Sequence, residues 1–316
     1  MRQVDYLSPS AISCYQESPT EYYKRYLCEN RPEREPQNQP MAIGSAFDAF
    51  VKSYLHEKLF GVKEGKYELQ TIFEAQVDAK MRDWAYQNGK YVFEQYKQSG
   101  VLTDLMELLE NSSEPRFEFE VRGAVHGYRE GIEGKFGEVT LLGKPDVDFV
   151  TKDGVHVILD FKVNGYCANY AKSPAPYYLK MRSAGRTNHG MHAKCRPVLF
   201  NGMEVNMACG LEYIDSSWAQ QLAIYGWLCG EPVASQFVTV IHQVVCNPTK
   251  GGLPSLRFAE HVNLISKSFQ QEVFDRAVDL WELVHSDHFF KDMSKEESDS
   301  RCELLEGYAL AMKDLQ

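Results

Sequence analysis

The chain has 316 residues, with 44% hydrophobic and 25% charged residues and a formal charge of −10. That is long enough for a sizeable core and has the balance of a globular chain rather than a disordered one. No apolar run approaches the roughly 18 residues of a membrane span, and Met1 to Tyr6 lack the apolar stretch of an export signal, so a cytoplasmic protein with no membrane association is expected. The acidic balance excludes a protein that coats nucleic acid indiscriminately.

Ser8-Pro9-Ser10 marks a helix start, with Ser8 as N-cap and Pro9 in the first helical position. Ser18-Pro19 repeats the signal and opens a second helix carrying Tyr22, Tyr23, Arg25 and Tyr26. The polar, proline-bearing stretch 29–39 predicts a loop. Phe47, Phe50, Val51, Tyr54 and Leu55 then follow amphipathic helical spacing, in a helix that Gly44-Ser45-Ala46-Phe47-Asp48 is expected to open. Further helical patterns cover 70–87, 89–98 and 101–110.

The character changes near Pro115. Residues 117–121 alternate as a strand, 139–142 begin another, and 146–150 with 155–161 predict a hairpin. A mostly apolar, buried helix follows at 217–230, a strand at 237–246, its partner at 256–262, and helices at about 266–286 and 294–312. This order is α+β. It predicts a single domain, with a mainly helical part over 1–114, a sheet core over 115–262 and C-terminal helices over 263–316.

The hairpin carries the chemistry. Alternation puts Val155, Val157, Leu159 and Phe161 on one face of the second strand, and Ile158, Asp160 and Lys162 on the other. In the first strand Val147 and Phe149 oppose Asp146 and Asp148. A two-residue turn would set Asp160 against Val147. A three-residue Lys152-Asp153-Gly154 loop, with Gly154 left-handed, sets Asp146 against Asp160 and keeps the apolar face apolar. Two carboxylates opposed in this way, roughly 4.5–5.5 Å apart at Cβ, destabilise each other unless a cation compensates. A divalent metal held by hard oxygens does so. Lys162 on the same face could orient a water or stabilise charge on a phosphate. A solvated polar face is the plain alternative.

Three further features gather around this pair. Asp48 is either an acid favoured by a helix N-terminus or an additional oxygen ligand, with Glu133 as substitute should Asp48 face solvent. Gln221 and Tyr225, at i and i+4, point the same way, as core residues or as support for the site. From Phe161 to Met203 there is no Asp or Glu. That stretch carries Lys172, Lys180, Arg182, Arg186, Lys194 and Arg196 with Tyr166, Tyr170, Tyr177 and Tyr178, a mixture suited to phosphates and bases. Its alternative is a solvated insertion over 163–203. The eight cysteines contain no C-x-x-C pair, which predicts free thiols and neither structural zinc nor an iron–sulfur cluster.

Taken in order, Tyr6 to Ser10 with Ser18-Pro19, Tyr22, Arg25 and Tyr26; Gly44 to Asp48; Gly143 to Asp146; Asp160-Phe161-Lys162; and Gln221 to Tyr225 resemble the motifs of RecB-type PD-(D/E)XK nucleases, the branch that includes phage-type exonucleases. The resemblance spans residues 6–230. It implies a restriction-endonuclease-like core, a central mixed sheet flanked by helices, Mg²⁺ or Mn²⁺, and hydrolysis of DNA in recombination, repair or phage replication, alongside a recombination or single-strand-binding partner. It assigns Asp146, Asp160 and the Phe161 carbonyl to the metal, Lys162 to the attacking water, and Gln221 and Tyr225 to support of the site and the DNA backbone. Asp48 departs from the histidine usual at its position. Ser18 departs from the cysteine of the iron–sulfur members. A non-catalytic nucleic-acid-binding module and a restriction or defence endonuclease are the alternatives.

Overall fold

The computed structural model describes residues 2–61, 65–117, 119–129, 135–185, 190–207 and 209–286. Helix α1 (Pro9–Glu17) starts as expected: the Ser8 side chain accepts from the Ala11 N–H. Ser18 caps α2 (Pro19–Tyr22) in the same way, accepting from Glu21, and the chain continues as a π-helical turn over Tyr23–Leu27.

Helix α3 (Gln39–Phe60) opens five residues before Gly44, because Asn38 accepts from Met41 N–H and Pro40 falls in the first turn. Two helical boundaries then differ from expectation. α4 (Leu69–Gln76) stops at Val77-Asp78, where Asp78 accepts from the Gln37 backbone N–H at 2.7 Å. α5 (Arg82–Gln98) runs straight through Gly89. A Cβ there would lie 2.6 Å from that of Ala46, so the glycine marks a close crossing of α3 and α5 rather than a break. α6 (Val101–Glu110) completes the helical part.

The strand expected at 117–121 is in fact the gap between two. β1 (Ser112–Phe117) belongs to the main sheet, and β2 (Val121–Tyr128) pairs only with β3 (Phe136–Gly143) in a separate two-stranded ribbon. Pro115 is tolerated because β1 is an edge strand, bulged between Ser113 and Arg116. β4 (Val147–Thr151), β5 (His156–Asn164), β6 (Lys180–Arg182), β7 (Pro197–Phe200) and β8 (Met203–Asn206) follow, then helix α7 (Ser216–Leu228). β9 (Val238–Thr249) and β10 (Gly252–Leu264) form a long hairpin, and α8 (Lys267–Val284) closes the described chain. The expected helix at 294–312 lies outside the described residues.

The main sheet runs β1-β4-β5-β9-β10-β8-β7, with β6 also on β10. It is mixed: β5 pairs β9 in parallel and β8 meets β10 in parallel, the remaining pairs being antiparallel. α3, α5 and α6 cover one face through Phe47, Phe50, Val92, Phe93 and Leu105 against Val157, Leu159 and Phe161. α7, α8, α1 and the β2–β3 ribbon cover the other, around Ile158 and Ile241. This central mixed sheet between helices is a restriction-endonuclease-like architecture. No helix among the described residues is long and apolar enough to cross a membrane.

Candidate active site

The β4–β5 hairpin has the register that burial demands. Val147 pairs Leu159 and Phe149 pairs Val157, and the loop is the three residues Lys152-Asp153-Gly154, with Gly154 at φ +77° and Thr151 N–H bonded to the Val155 carbonyl at 2.9 Å. Asp146 lies at a bend one residue before β4, just beyond the Val147–Leu159 pair. Its carboxylate accepts from the Phe161 backbone N–H at 2.9 Å.

Asp160 and Lys162 leave β5 on the side of α7. Lys162 Nζ lies 2.5 Å from Asp160 Oδ2 and donates to Gln221 Oε1 at 2.9 Å. The Gln221 amide donates back to Asp160 Oδ1 at 3.1 Å and to the Tyr225 hydroxyl at 2.9 Å. The i, i+4 pair on α7 thus holds both members of the Asp-x-Lys motif. Gly143 allows the approach, since a Cβ there would stand 2.8 Å from the Tyr225 ring.

The other side of the cluster holds a residue that the sequence pattern did not single out. Lys52, one turn after Asp48 on α3, is 2% exposed. Its ammonium sits between Asp48 Oδ2 at 2.5 Å and Asp146 Oδ1 at 2.9 Å. Gln76 donates to the same Asp48 oxygen at 3.0 Å. Asp48 thus joins the cluster through Lys52. The i, i+4 acid–lysine spacing was visible, but by itself it signals only a surface ion pair. Glu133 lies outside the described residues.

Asp48, Lys52, Asp146, Asp160, Phe161 and Lys162 all line one cavity of about 400 Å³. Its electrostatics are unequal. Burial would raise Asp146, but the Lys52 ammonium, the Phe161 N–H and Lys162 bring it below the usual carboxylate range. Burial and the Asp146 charge push Asp160 up to about 7 in spite of Lys162. Lys162 rises above its ordinary value because Asp160 and Asp146 outweigh burial, so it is a fixed cation at neutral pH. Burial also raises Tyr225, with the two carboxylates adding to it.

Among the described residues no three His, Cys, Asp or Glu side chains converge by themselves as a metal site. The donor set nevertheless fits a hard divalent ion. Neither Cys nor His lines the cavity, and its available donors are oxygens: the carboxylates of Asp48, Asp146 and Asp160 beside the backbone of Phe161.

The acid-free segment divides. Pairing with β10 sets Arg182 beside Phe258 and Lys180 beside Glu260, on the sheet face opposite Asp160 and Lys162. Arg182 also pairs with Asp104 of α6. Tyr166 donates to Asn88 of α5 at 2.7 Å on that same side. Tyr178 packs edge-on to His261 and His192. Lys194 lies over the Tyr177 ring and Lys172 over that of Tyr170, while Arg196 is exposed. Arg186 lies outside the described residues.

A family model of the PD-(D/E)XK nuclease superfamily matches residues 6–179, and the chain belongs to that superfamily. The match ends before α7, so Gln221 and Tyr225 rest on the geometry given above. No curated protein matches the chain. Among solved structures, one titled "Crystal structure of SSO0001" is 10% identical over 85% of this chain and 84% of that one, with a TM-score of 0.26.

Proposed function

We propose that the protein is a divalent-metal-dependent deoxyribonuclease that hydrolyses phosphodiester bonds, acting as an exonuclease or end-processing nuclease in recombination, repair or phage replication. The observation that carries the reading is the convergence of Asp146, Asp160 and Lys162 on one cavity, with Gln221 bonded to both Asp160 and Lys162. Asp146, Asp160 and the Phe161 carbonyl would hold Mg²⁺ or Mn²⁺, which when bound supplies Lewis-acid polarisation of a phosphoryl oxygen and a more acidic water. Lys162, charged and fixed by Asp160 and Gln221, holds a water or a phosphate oxygen by hydrogen bond rather than accepting a proton. Gln221 keeps Lys162 and Asp160 in register, and Tyr225 fixes the rotamer of Gln221. Lys52, held in place by Asp48, keeps Asp146 ionised.

The test is cleavage of linear, nicked, closed circular, single-stranded and duplex DNA with Mg²⁺, Mn²⁺ or EDTA. Cleavage confined to molecules with ends is expected. Asp146→Ala and Asp160→Ala should each abolish cleavage in a folded protein, and Lys162→Ala should cut turnover by about a hundredfold. Full activity in either aspartate variant would overturn the assignment, and efficient cutting of closed circles would move it to the endonuclease reading. The acid-free segment remains a candidate DNA contact through Lys172, Lys194 and Arg196.

A further inference from the structure

A second and larger cleft, about 570 Å³, adjoins the catalytic cavity and shares Lys144 with it. Its floor is formed by Gln221 and Tyr225, the pair that reaches Asp160 and Lys162. One wall is the extended segment 2–6. That wall is built into the fold: Arg2 N–H bonds the Leu27 carbonyl at 2.9 Å, and Leu7 exchanges backbone hydrogen bonds with Thr140 and Leu142 of β3, each 2.9 Å. Arg122 donates to the Asp5 carbonyl at 2.8 Å and lies over the Tyr6 ring.

The lining is cationic in a protein whose net charge is −10. Arg2, Arg31 and Lys144 line the cleft against one carboxylate, Asp5, and Lys144 is paired with Glu120 at 3.1 Å. Arg2 and Arg31 are exposed and make no ion pair among the described residues. Tyr6, 40% exposed, presents an aromatic edge beside them. Cations spaced along a preformed cleft, with an accessible aromatic ring, suit a sugar–phosphate backbone with unstacked bases. A stacked duplex keeps its base faces from an aromatic ring such as Tyr6, whereas a single strand can present them.

We infer that this cleft holds a single nucleic-acid strand beside the catalytic cavity, with Arg2 and Arg31 contacting its phosphates. The inference rests on the nuclease reading given above, and it places the strand on the α1 side of α7 rather than along Lys180 and Arg182. The test compares the full-length protein with an Arg2→Glu/Arg31→Glu variant. Both positions are exposed, so the fold is not at risk. The probes are a fluorescent 20-nucleotide single strand and a duplex closed by hairpins at both ends, with Ca²⁺ replacing Mg²⁺, at three salt concentrations.

The variant should bind the single strand at least about tenfold more weakly at low salt. Its salt slope should fall by about 1.4, twice the roughly 0.7 expected per single-strand contact. Closed-duplex affinity should change by less than about twofold, and Mn²⁺ affinity by calorimetry should not change. Unchanged single-strand affinity and slope, or an equal loss for the closed duplex, would overturn the inference. The nuclease reading fails separately. If the wild-type protein cleaves nothing with Mg²⁺ or Mn²⁺ and yet binds the single strand through Arg2 and Arg31, the cleft stands and the catalysis does not.

Discussion

At the scale of single residues, Lys52 is the position on which the site most depends for its integrity. A buried ammonium between Asp48 and Asp146 can be removed only by leaving two carboxylates without their cation, and breaking a buried pair costs about 3–5 kcal/mol. Lys52→Met should lower stability to urea by about 3 kcal/mol, with partial recovery in Lys52→Met/Asp48→Asn and on addition of excess Mn²⁺. A single-variant loss below half that size would show that the two carboxylates are satisfied without it. Lys52 also marks the limit of what the sequence displayed. Asp146, Asp160 and Lys162 were legible because strand alternation and loop length determine which side chains share a face. Gln221 and Tyr225 were legible because i, i+4 fixes a common direction. Lys52 was not, since only tertiary packing buries it, and nothing in its helical spacing separates a solvated lysine from an enclosed one.

At the scale of elements, the edge β1-β4-β5 is tied by a polar chain separate from the candidate active site. His156 on β5 bonds Asp148 on β4 at 2.6 Å and Glu231 after α7 at 2.7 Å, and Arg116 on β1 holds the other oxygen of Asp148 at 2.5 Å. Burial would lower His156, but its two carboxylates raise it above 6.5. Burial would raise Asp148, but His156 and Arg116 bring it below 3.8. A raised histidine stabilises fully below its unfolded value and loses that contribution as pH climbs through its folded value. A lowered carboxylate contributes above its unfolded value and loses that as pH falls. The network is therefore strongest between about pH 4 and 6.5. His156→Gln should cost about 2 kcal/mol at pH 6 and clearly less at pH 9, by urea unfolding at the two pH values; an equal cost at both would remove the charged histidine from the account. Element boundaries were less legible than element types. Gly89 carries the sequence mark of a helix break, yet contact with Ala46 keeps it inside α5. The alternation through Phe117 and Val121 looks like one strand, yet the chain changes sheets there.

At the scale of the whole molecule, the parallel pairing of β5 with β9 joins residues 157–164 to residues 238–245. Such separation makes the sheet's centre the slowest part to assemble, because a long loop must close before any ladder bond forms. A chain stopped at residue 230 would retain every candidate ligand but leave one side of β5 unpaired. It should elute as aggregate in size-exclusion chromatography, and a monomeric, cooperatively melting fragment would contradict that. The same topology governs timing in the cell. A chain emerging from the ribosome has already exposed Asp146, Asp160 and Lys162 while the strand that seats them is still unsynthesised. The candidate site is therefore completed only once β9 has been made, and a chain terminated before that strand is left without an organised site.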